Sequence, residues 1–409
     1  MNSLPAIDAD RMLEQVQSWC AINTGTANID GLTQQAEVLA EAFGALPGDV
    51  ELVEPAPVTA IAGDGSEYEK PHGRHLVLRV RPRANRRILL TGHMDTVFPA
   101  DHSFQDQTWL EDGVLNGPGV ADMKGGIAVM LHALMAFEAS AGGGAASLGY
   151  DVMLNSDEET GSLASADLIA QLAAGKLAAL TYEPAALPDG TLAHARGGTG
   201  NYSITFTGKS AHAGRNPEEG RNALVAAADL IVQLKALERE DITVNPAKLE
   251  GGGPNNVVPD HALLRFNIRP KSTEAMEGFD GELDRLLSAI ETEHGVGTHR
   301  HGGVTRPPKP VDDRAQALFD LVRECGAELG EDIHWKSTGG VCDGNNIAAC
   351  GVPVVDTMGV RGGAIHSPDE FLITASLAER ARLSARVIQR IADGALSGAM
   401  SGAMSGATS

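Results

Sequence analysis

Two side chains at the end of an apolar run have the residue types and spacing expected of a metal site. His93 and Asp95 follow the apolar residues 88–90, which predict a short buried strand ending near His93. Residues two apart in a strand share one face. A metal-binding imidazole usually donates its second N–H to a carboxylate, and Asp95 is placed to accept it. The alternative is a strand-end histidine beside a turn aspartate without any metal, and this pair alone does not decide between them.

Further carboxylates and a second histidine occur in similar contexts. Asp122 precedes an apolar helix predicted for residues 125–140, where a helix N-cap would also favour aspartate. Residues 157–159, Asp-Glu-Glu, follow a predicted buried strand, and adjacent carboxylates repel one another unless a cation or a pKa shift offsets them. A solvated acidic loop is the usual interpretation of such a run, but the buried strand argues against it. Glu183 follows another apolar stretch, and His366 lies in a glycine-rich loop.

Two histidines with three or four carboxylates predict a site for two divalent ions. Zinc is the first choice for mixed histidine and carboxylate ligands, with cobalt or manganese as alternatives. Two metals about 3.5–4 Å apart hold a bridging water, lower its pKa and polarise a carbonyl. A carboxylate that is not a ligand then acts as general base, and the neighbours Glu158 and Glu159 can divide these two tasks. The chemistry that this set predicts is amide hydrolysis.

The composition narrows the class of protein. The chain has 409 residues, a formal net charge of -22 and 4% aromatic residues. An acidic surface repels phosphate backbones and anionic membranes, and few aromatic side chains are available to stack on bases. We therefore expect no nucleic-acid partner and no membrane partner. The four cysteines form no Cys-x-x-Cys pair, the N-terminus has no apolar signal region, and no run approaches the ~20 apolar residues of a membrane span. These features predict a cytoplasmic protein.

The order of predicted elements favours an α/β fold, a mixed central sheet with helices on both faces. Strands are expected at 76–80, 88–91, 152–156, 177–181 and 352–355, among helices at 8–43, 125–140, 165–174, 312–329 and 373–391. From residue 196, strands with alternating polarity (202–206, 262–268) and two helices (222–237, 276–291) predict a ferredoxin-like α+β unit. The predicted division is a catalytic domain of residues 1–195 and 308–395, an inserted dimerisation and lid domain of residues 196–307, and a disordered tail of residues 396–409.

Six motifs in order resemble the dizinc metallopeptidase family of glutamate carboxypeptidase (carboxypeptidase G), aminoacylase, acetylornithine deacetylase and succinyl-diaminopimelate desuccinylase. The motifs are Gly-His-Met-Asp at 92–95, Gly-Val-Ala-Asp-Met-Lys-Gly-Gly at 119–126, Asp-Glu-Glu at 157–159, Glu-Pro at 183–184, Gly-Lys-Ser-Ala-His-Ala-Gly at 208–214 and His-Ser at 366–367. The resemblance is closest to glutamate carboxypeptidase, because the dipeptidase and tripeptidase branches tend to have aspartate where this chain has Glu183.

The resemblance implies two zinc ions per subunit and a role for each motif residue. It implies Glu158 as the general base and Asp95 as the carboxylate that orients His93. The implied metal ligands are Asp122 bridging both ions, Glu159 and His366 at one ion, and His93 and Glu183 at the other.

It also implies residues that contact the substrate. His212 would reach into the partner subunit's active site of a homodimer and polarise the substrate carbonyl, although its spacing alone is that of a surface histidine. Asn256 matches a substrate-contacting position, and Arg269 and Arg306 resemble arginines that hold the substrate carboxylate; the alternative for each arginine is a surface ion pair. Gly340 lies in a loop matching a substrate-binding loop of the carboxypeptidase.

That loop departs from the family pattern at Val341 and Cys342, so two substrate classes stay open. The first is an N-acyl amino acid or small peptide with a C-terminal, glutamate-like residue. The second is an N-acyl amino acid with another side chain, cleaved by a deacylase of the aminoacylase or acetylornithine deacetylase type. A metal-free, non-catalytic relative is a third interpretation, and the complete ligand set argues against it.

Overall fold

Helices and strands alternate in the first and last parts of the chain, and the part between them has a different pattern. The computed structural model describes residues 5–140 and 147–396, so the predicted tail falls almost wholly outside the described residues. The helices are α1 (Ala9–Cys20), α2 (Ile29–Phe43), α3 (Lys124–Ala139), α4 (Ala166–Ala173), α5 (Ala223–Ala236), α6 (Thr273–His294), α7 (Asp313–Leu329), α8 (Asp343–Ala349) and α9 (Ala375–Ala392). The strands are β1 (Asp49–Val53), β2 (Thr59–Ile61), β3 (Glu67–Glu69), β4 (His75–Val80), β5 (Arg86–His93), β6 (Thr108–Glu111), β7 (Val114–Asn116), β8 (Leu148–Asn155), β9 (Ala179–Thr181), β10 (Leu192–Arg196), β11 (Thr199–Thr207), β12 (Ile242–Gly251), β13 (His261–Pro270), β14 (Gly297–Arg306), β15 (Trp335–Thr338), β16 (Val354–Val355), β17 (Gly362–Gly363) and β18 (Phe371–Ile373).

A mixed sheet of six strands lies at the centre, in the order β1-β4-β8-β5-β9-β16. Strand β5 is parallel to β8 and β9, and β16 is parallel to β9, whereas β4 is antiparallel to β8 and β1 to β4. Because β5, β8 and β9 run the same way, the residues after their carboxyl ends meet at one edge of the sheet.

Helices cover both faces of this sheet. Leu76 and Leu78 belong to the core shared with α1, α2, α3 and α9, whereas Val77 and Leu89 belong to a separate core with α4 and α8. Alternate residues of a strand point to opposite faces, so both faces of these central strands must be apolar. Helix α3 is buried along almost its whole length between the sheet, α1 and α9, which explains why its sequence has no polar face.

A second, antiparallel sheet has the order β12-β13-β11-β14 and carries α5 and α6 on one face. Tyr202, Ile204 and Phe206 of β11 point into that core, and the intervening Ser203 and Thr205 do not. The chain order β-α-β-β-α-β with this strand order is ferredoxin-like. The predicted fold class, a mixed central sheet with helices on both faces plus a ferredoxin-like α+β unit, is therefore confirmed.

Two chain segments connect the ferredoxin-like unit to the rest, and they pair with each other. Arg196 N–H donates to the Lys309 carbonyl at 3.0 Å, and Lys309 N–H donates to the Arg196 carbonyl at 2.9 Å. This pairing lies close to the predicted boundaries at 195/196 and 307/308. The boundaries themselves, and the roles of the unit as lid and dimerisation surface, stay predictions.

Several short strands and α8 were not predicted. Residues 97–119 were expected to be an irregular connection, but they contain β6 and β7, and β7 pairs with β18 near the other end of the chain. Strands of three or four residues carry too few side chains for a clear alternating pattern, and their stability comes from their partners. Among the described residues, no helix combines the length and apolar character needed to cross a membrane.

Candidate active site

The carboxyl edge of the central sheet brings the predicted ligands together. His93 is the last residue of β5, opposite Asn155 at the end of β8, and Thr91 of β5 lies opposite Thr181 at the end of β9. Glu158 and Glu159, in a short 3-10 turn after β8, and Glu183, just after β9, therefore reach the same edge as His93.

The buried imidazole of His93 has one nitrogen toward Asp95 and the other toward carboxylates. Nδ1 is 3.0 Å from the Asp95 carbonyl oxygen and 3.4 Å from Asp95 Oδ1. Nε2 is 3.1 Å from Asp122 Oδ1 and 3.6 Å from Glu183 Oε2. This geometry suits an imidazole that donates Nδ1–H to Asp95 and offers Nε2 to a cation held with the two carboxylates.

Asp122 lies between the two histidines. Its Oδ1 faces His93, and its Oδ2 is 3.2 Å from Nε2 of His366, which is also 3.2 Å from Glu159 Oε2. The helix N-cap interpretation of Asp122 fails, because the N-cap of α3 is Met123 and it makes no side-chain cap hydrogen bond. A carboxylate with one oxygen toward each of two ligand groups has the arrangement that a bridging ligand needs.

At this edge of the sheet, two groups of described side chains have potential ligand atoms within 4.8 Å of one another: His93 with Asp122 and Glu159, and His93 with Glu158 and Glu183. The second group contains Glu158 as well as the implied ligand Glu183. Glu158 is therefore close enough to exchange a proton with anything bound at this position, and the division of roles between Glu158 and Glu159 stays a prediction.

The charges of these side chains are poorly matched without a cation. Burial raises the pKa of Glu183, that of Glu159 to about 7 and that of Glu158 well above the usual range. Hydrogen bonds to Asp122 and Glu159 raise the pKa of His366 to about 11. Burial opposes the charged form of His93, but Glu183 and Asp122 raise its pKa well above normal. Raised pKa values in so many neighbouring groups fit a site for divalent cations, because the cations would neutralise the carboxylates directly.

A second set of contacts fixes the positions of these candidate ligands. Asp95 Oδ1 accepts the Glu158 N–H and Oδ2 accepts the Glu159 N–H, both at 3.2 Å, and the Thr26 hydroxyl donates to Oδ2 at 2.7 Å. Sequence reasoning missed Thr26, and its position in the chain offered no signal. Asp95 therefore orients the Glu158–Glu159 turn in addition to His93.

Glu370 performs the corresponding task for Asp122. Its Oε1 accepts the backbone N–H groups of Ala121 and Asp122, both at 3.0 Å, and burial raises its pKa to about 8. Sequence reasoning assigned it no role, although it lies four residues after His366 in the same loop.

Arg306 is buried and contacts Glu158 instead of solvent. Its Nη2 is 2.6 Å from Glu158 Oε1, 2.9 Å from the Glu158 carbonyl oxygen, 2.9 Å from Ser162 Oγ and 3.3 Å from Asp343 Oδ1. The alternative of a surface ion pair is therefore wrong for this arginine.

A cavity of about 310 Å³ opens in front of the cluster and is lined by Asp122, Glu158, Glu159, Glu183 and His366. Small side chains including Ala185, Ala186, Val341 and Cys342 form much of its remaining wall, together with Gly340 and Arg196.

Sequence reasoning missed Arg196 as a site residue. Its guanidinium pairs with Asp356 at 2.7 and 3.1 Å and donates to the Gly340 carbonyl at 3.0 Å. Lys309 Nζ lies 3.0 Å from the same Asp356 carboxylate. Asp356 thus has two cationic partners, and one positive charge remains beside the cavity.

The other predicted substrate residues lie on the ferredoxin-like unit. His212, Asn256 and Arg269 are exposed, and none of them is among the described residues that line this cavity. The His212 and Asn256 loops are neighbours, because the Ala213 N–H donates to the Asn256 carbonyl at 2.9 Å. His212 Nδ1 accepts the Gly214 N–H at 3.1 Å, which leaves Nε2–H free to donate.

The fold and this site define a class: a hydrolase with a cluster of mostly buried carboxylates, the buried His93 and the exposed His366 at the carboxyl edge of an α/β sheet. A sequence profile of the peptidase family M20/M25/M40 matches residues 89–390. The chain is 31% identical to carboxypeptidase G2 of Pseudomonas sp. (strain RS-16) over 331 residues, covering 77% of this chain and 76% of the relative. It is 28% identical to succinyl-diaminopimelate desuccinylase of Xanthomonas oryzae pv. oryzae over 323 residues, covering 74% and 83%.

Solved structures agree with this fold. A tripeptidase from Staphylococcus aureus superposes with a TM-score of 0.73 at 23% identity, covering 95% of this chain and 100% of its own. A dinuclear metal-binding peptidase of the M20 family from Bacillus subtilis superposes with a TM-score of 0.64 at 16% identity, covering 94% and 98%. The chain belongs to the peptidase family M20/M25/M40, which confirms the resemblance and the prediction that the protein is a hydrolase of the metallopeptidase class.

Proposed function

We propose that the protein is a dinuclear-zinc amidohydrolase. Its substrate is an N-acyl amino acid or small peptide, from which it removes a C-terminal, glutamate-like residue. The observation that carries this proposal is the position of Asp122, with one carboxylate oxygen toward His93 and the other toward His366. The relatedness to carboxypeptidase G2 supports the carboxypeptidase reaction.

The donor set fits two zinc ions. Asp122 would bridge them, with Glu159 and His366 at one ion and His93 and Glu183 at the other. Zinc accepts mixed nitrogen and oxygen ligands of this kind, and cobalt or manganese fit the same donors. Bound zinc would supply a nucleophilic water at neutral pH and polarise the scissile carbonyl.

The chain's own residues would handle the proton and the substrate. Glu158 lines the cavity and would take a proton from the attacking water and deliver it to the leaving amine nitrogen. Asp95 holds the backbone of Glu158 and the ring of His93, so it orients base and ligand together. Gly340, on the cavity wall, would contact the substrate backbone.

Cationic and amide groups of the ferredoxin-like unit and of the cavity wall support an acidic substrate. Arg269 uses Nε to donate to Asn267 Oδ1 at 2.9 Å, and no other side-chain hydrogen bond of this guanidinium occurs among the described residues. Its two Nη groups are therefore available for a bidentate grip on a substrate carboxylate. Asn256 would add a hydrogen bond, and the positive charge left by the Arg196–Asp356–Lys309 group favours a further anionic group.

A homodimer would complete the site. Two observations support this dimer. His212 is exposed and is not among the described residues that line the cavity, and Val225 and Val232 form an exposed apolar strip on the outer side of α5. We propose that this face of the ferredoxin-like unit packs against its copy, so that His212 Nε2–H polarises the substrate carbonyl in the partner subunit, and that the unit closes over substrate as a lid.

Mixing two inactive variants tests the contribution across subunits. In a mixed dimer of His212→Ala and Glu158→Ala subunits, one site would have both intact residues, so an equimolar exchange should restore about a quarter of wild-type activity. A site complete within one chain would restore none. Sedimentation of the wild-type protein as a fully active monomer would also contradict the proposal.

A substrate panel tests the reaction itself. Zinc-loaded protein should cleave N-acyl-glutamate and peptides ending in glutamate, and failure to cleave any N-acyl amino acid would refute the proposal. The second candidate is an N-acyl-amino-acid deacylase for another side chain, favoured by Val341 and Cys342 in the cavity wall and by the relatedness to the desuccinylase. Faster turnover of N-acyl-alanine or N-acyl-arginine than of N-acyl-glutamate would select it.

The four cysteines support the proposed cytoplasmic location. All are free, with three of them buried and Cys350 exposed. An exposed free thiol is stable in a reducing compartment and prone to oxidation outside it. Fractionation of the source cells, with the protein detected in the membrane-free cytoplasmic extract, is the corresponding test.

A further inference from the structure

Arg306 bridges the ferredoxin-like unit and the general base. It is the last residue of β14, pairs with Thr199 of β11, and lies three residues before the point where Lys309 meets Arg196. Its guanidinium nevertheless extends to the turn after β8 in the central sheet and contacts Glu158. Arg306 of the ferredoxin-like unit thus holds Glu158, which follows a strand of the central sheet.

The contacts hold one oxygen of Glu158 and leave the other free. Arg306 Nη2 donates to Glu158 Oε1 at 2.6 Å and to the Glu158 carbonyl oxygen at 2.9 Å. Among the described residues, no side chain hydrogen-bonds to Glu158 Oε2, while the residue lines the cavity. Because charge-assisted hydrogen bonds of this length are directional, the carboxylate is fixed with one oxygen available for proton transfer.

Asp343 holds the arginine in turn. Its Oδ1 is 3.3 Å from Arg306 Nη2 and accepts the Ser162 hydroxyl at 2.5 Å, and its Oδ2 accepts the Asn155 amide at 2.7 Å. All four side chains are buried. A buried guanidinium between two carboxylates has its charge already compensated, so a substrate carboxylate brought to it would meet two like charges.

We propose that Arg306 is a positioning residue for the general-base carboxylate of Glu158, in place of the substrate-holding role implied by the family resemblance. Arg269 takes the substrate carboxylate, because its Nη groups are unoccupied and it is exposed. The inference rests on the proposed function only for the identity of Glu158 as base. The orientation of Glu158 is consequently fixed by the ferredoxin-like unit.

Kinetics of zinc-loaded variants separate positioning from substrate binding. Arg306→Gln should lower kcat by about 100-fold and change KM by less than about threefold, since an unaligned base loses its contribution to turnover. The matched control Arg269→Gln should raise KM at least about tenfold with kcat largely kept. Arg306→Lys, which restores charge at one contact, should recover about tenfold of the lost kcat.

The opposite pattern would overturn the inference. Arg306→Gln with raised KM and unchanged kcat would assign it to substrate binding, and a lysine variant no better than glutamine would exclude a charge-based hold. If Arg306→Gln does not fold, the double variant Arg306→Gln/Asp343→Asn, which removes one charge of each sign, replaces it. Zinc content equal to wild type and a cooperative thermal transition confirm that each variant is intact.

A crystal structure of zinc-loaded Arg306→Gln gives a readout without turnover. The Glu158 carboxylate should leave its wild-type position, and a carboxylate within about 0.5 Å of that position would refute the inference. Failure of the proposed function is distinguishable, because wild-type protein would then cleave no N-acyl amino acid while the position of Glu158 in the two structures still decides the role of Arg306.

Discussion

Replacing Asp95 by asparagine tests the scaffold of the active site. Both oxygens of the Asp95 carboxylate accept hydrogen bonds. Oδ1 accepts the Glu158 N–H at 3.2 Å, and Oδ2 accepts the Glu159 N–H at 3.2 Å and the Thr26 hydroxyl at 2.7 Å. Asparagine has the same shape but only one acceptor oxygen. Whichever way its amide is turned, its NH₂ group faces a glutamate N–H, and one buried donor loses its partner.

The size of the effect follows from that lost bond. Leaving a buried N–H unsatisfied costs about 1–3 kcal/mol, so the free energy of unfolding of metal-free Asp95→Asn should fall by this amount. Asp95 also orients His93 and the turn that carries Glu158 and Glu159, so its replacement should weaken zinc binding by roughly 10- to 100-fold. This range matches the usual effect of replacing a residue that orients a metal ligand.

Two measurements and one control decide the outcome. Urea unfolding of the metal-free protein gives the free energy of unfolding, and competition with a chromogenic chelator gives the zinc affinity. Thr26→Val is the control, since it removes one hydroxyl and leaves both glutamate N–H groups bonded, with an expected loss of about 1 kcal/mol. Zinc affinity of Asp95→Asn within threefold of wild type, or an equal weakening of zinc binding in the two variants, would refute the reasoning.

Three further predictions concern base, metal and stability. Glu158→Gln should keep both zinc ions by elemental analysis while kcat falls about 10²–10⁴-fold, and loss of zinc would mean that Glu158 and Glu159 exchange roles. Hydrogen bonds to Asp122 and Glu159 raise the pKa of His366 to about 11, and Glu183 and Asp122 raise that of His93 against the effect of burial, so protons compete with a cation for both rings. Zinc must displace the protons of its ligands, so calorimetry in buffers of different ionisation enthalpy should show proton release on binding and an affinity that rises with pH. Burial and Glu379 raise the pKa of Glu331 to about 7, so between pH 4.5 and 7 the folded state holds a proton that the unfolded state lacks and stability falls as pH rises. After allowance for its partial exposure, Glu331→Gln should stabilise the protein by about 1–2 kcal/mol at pH 8 and not at pH 4 in urea unfolding, and an equal effect at both pH values would contradict this.

The sequence predicted the elements that carry strong local patterns. The apolar run before His93 indicated the buried strand β5, and the unbroken apolar stretch after Asp122 indicated the buried helix α3. Alternation around Tyr202 indicated a sheet with one exposed face. These patterns are local because burial within one element repeats with the period of that element. The strands β7 and β18 escaped prediction, because each of them is stabilised by pairing with a distant segment.

The residue types of the site were determined by the sequence, and their arrangement by the tertiary structure. The motif residues at 93, 122, 158, 159, 183 and 366 were identified from type and order alone. Only the folded chain decided that Arg306 contacts Glu158, that Thr26 donates to Asp95, and that Glu370 accepts the N–H of Asp122. Each of these contacts joins segments far apart in the chain, whose distance depends on the order of strands in the sheet and on helix packing. No periodicity within one segment contains that information, so a guanidinium that the family resemblance assigns to a substrate is found in the fold beside Glu158.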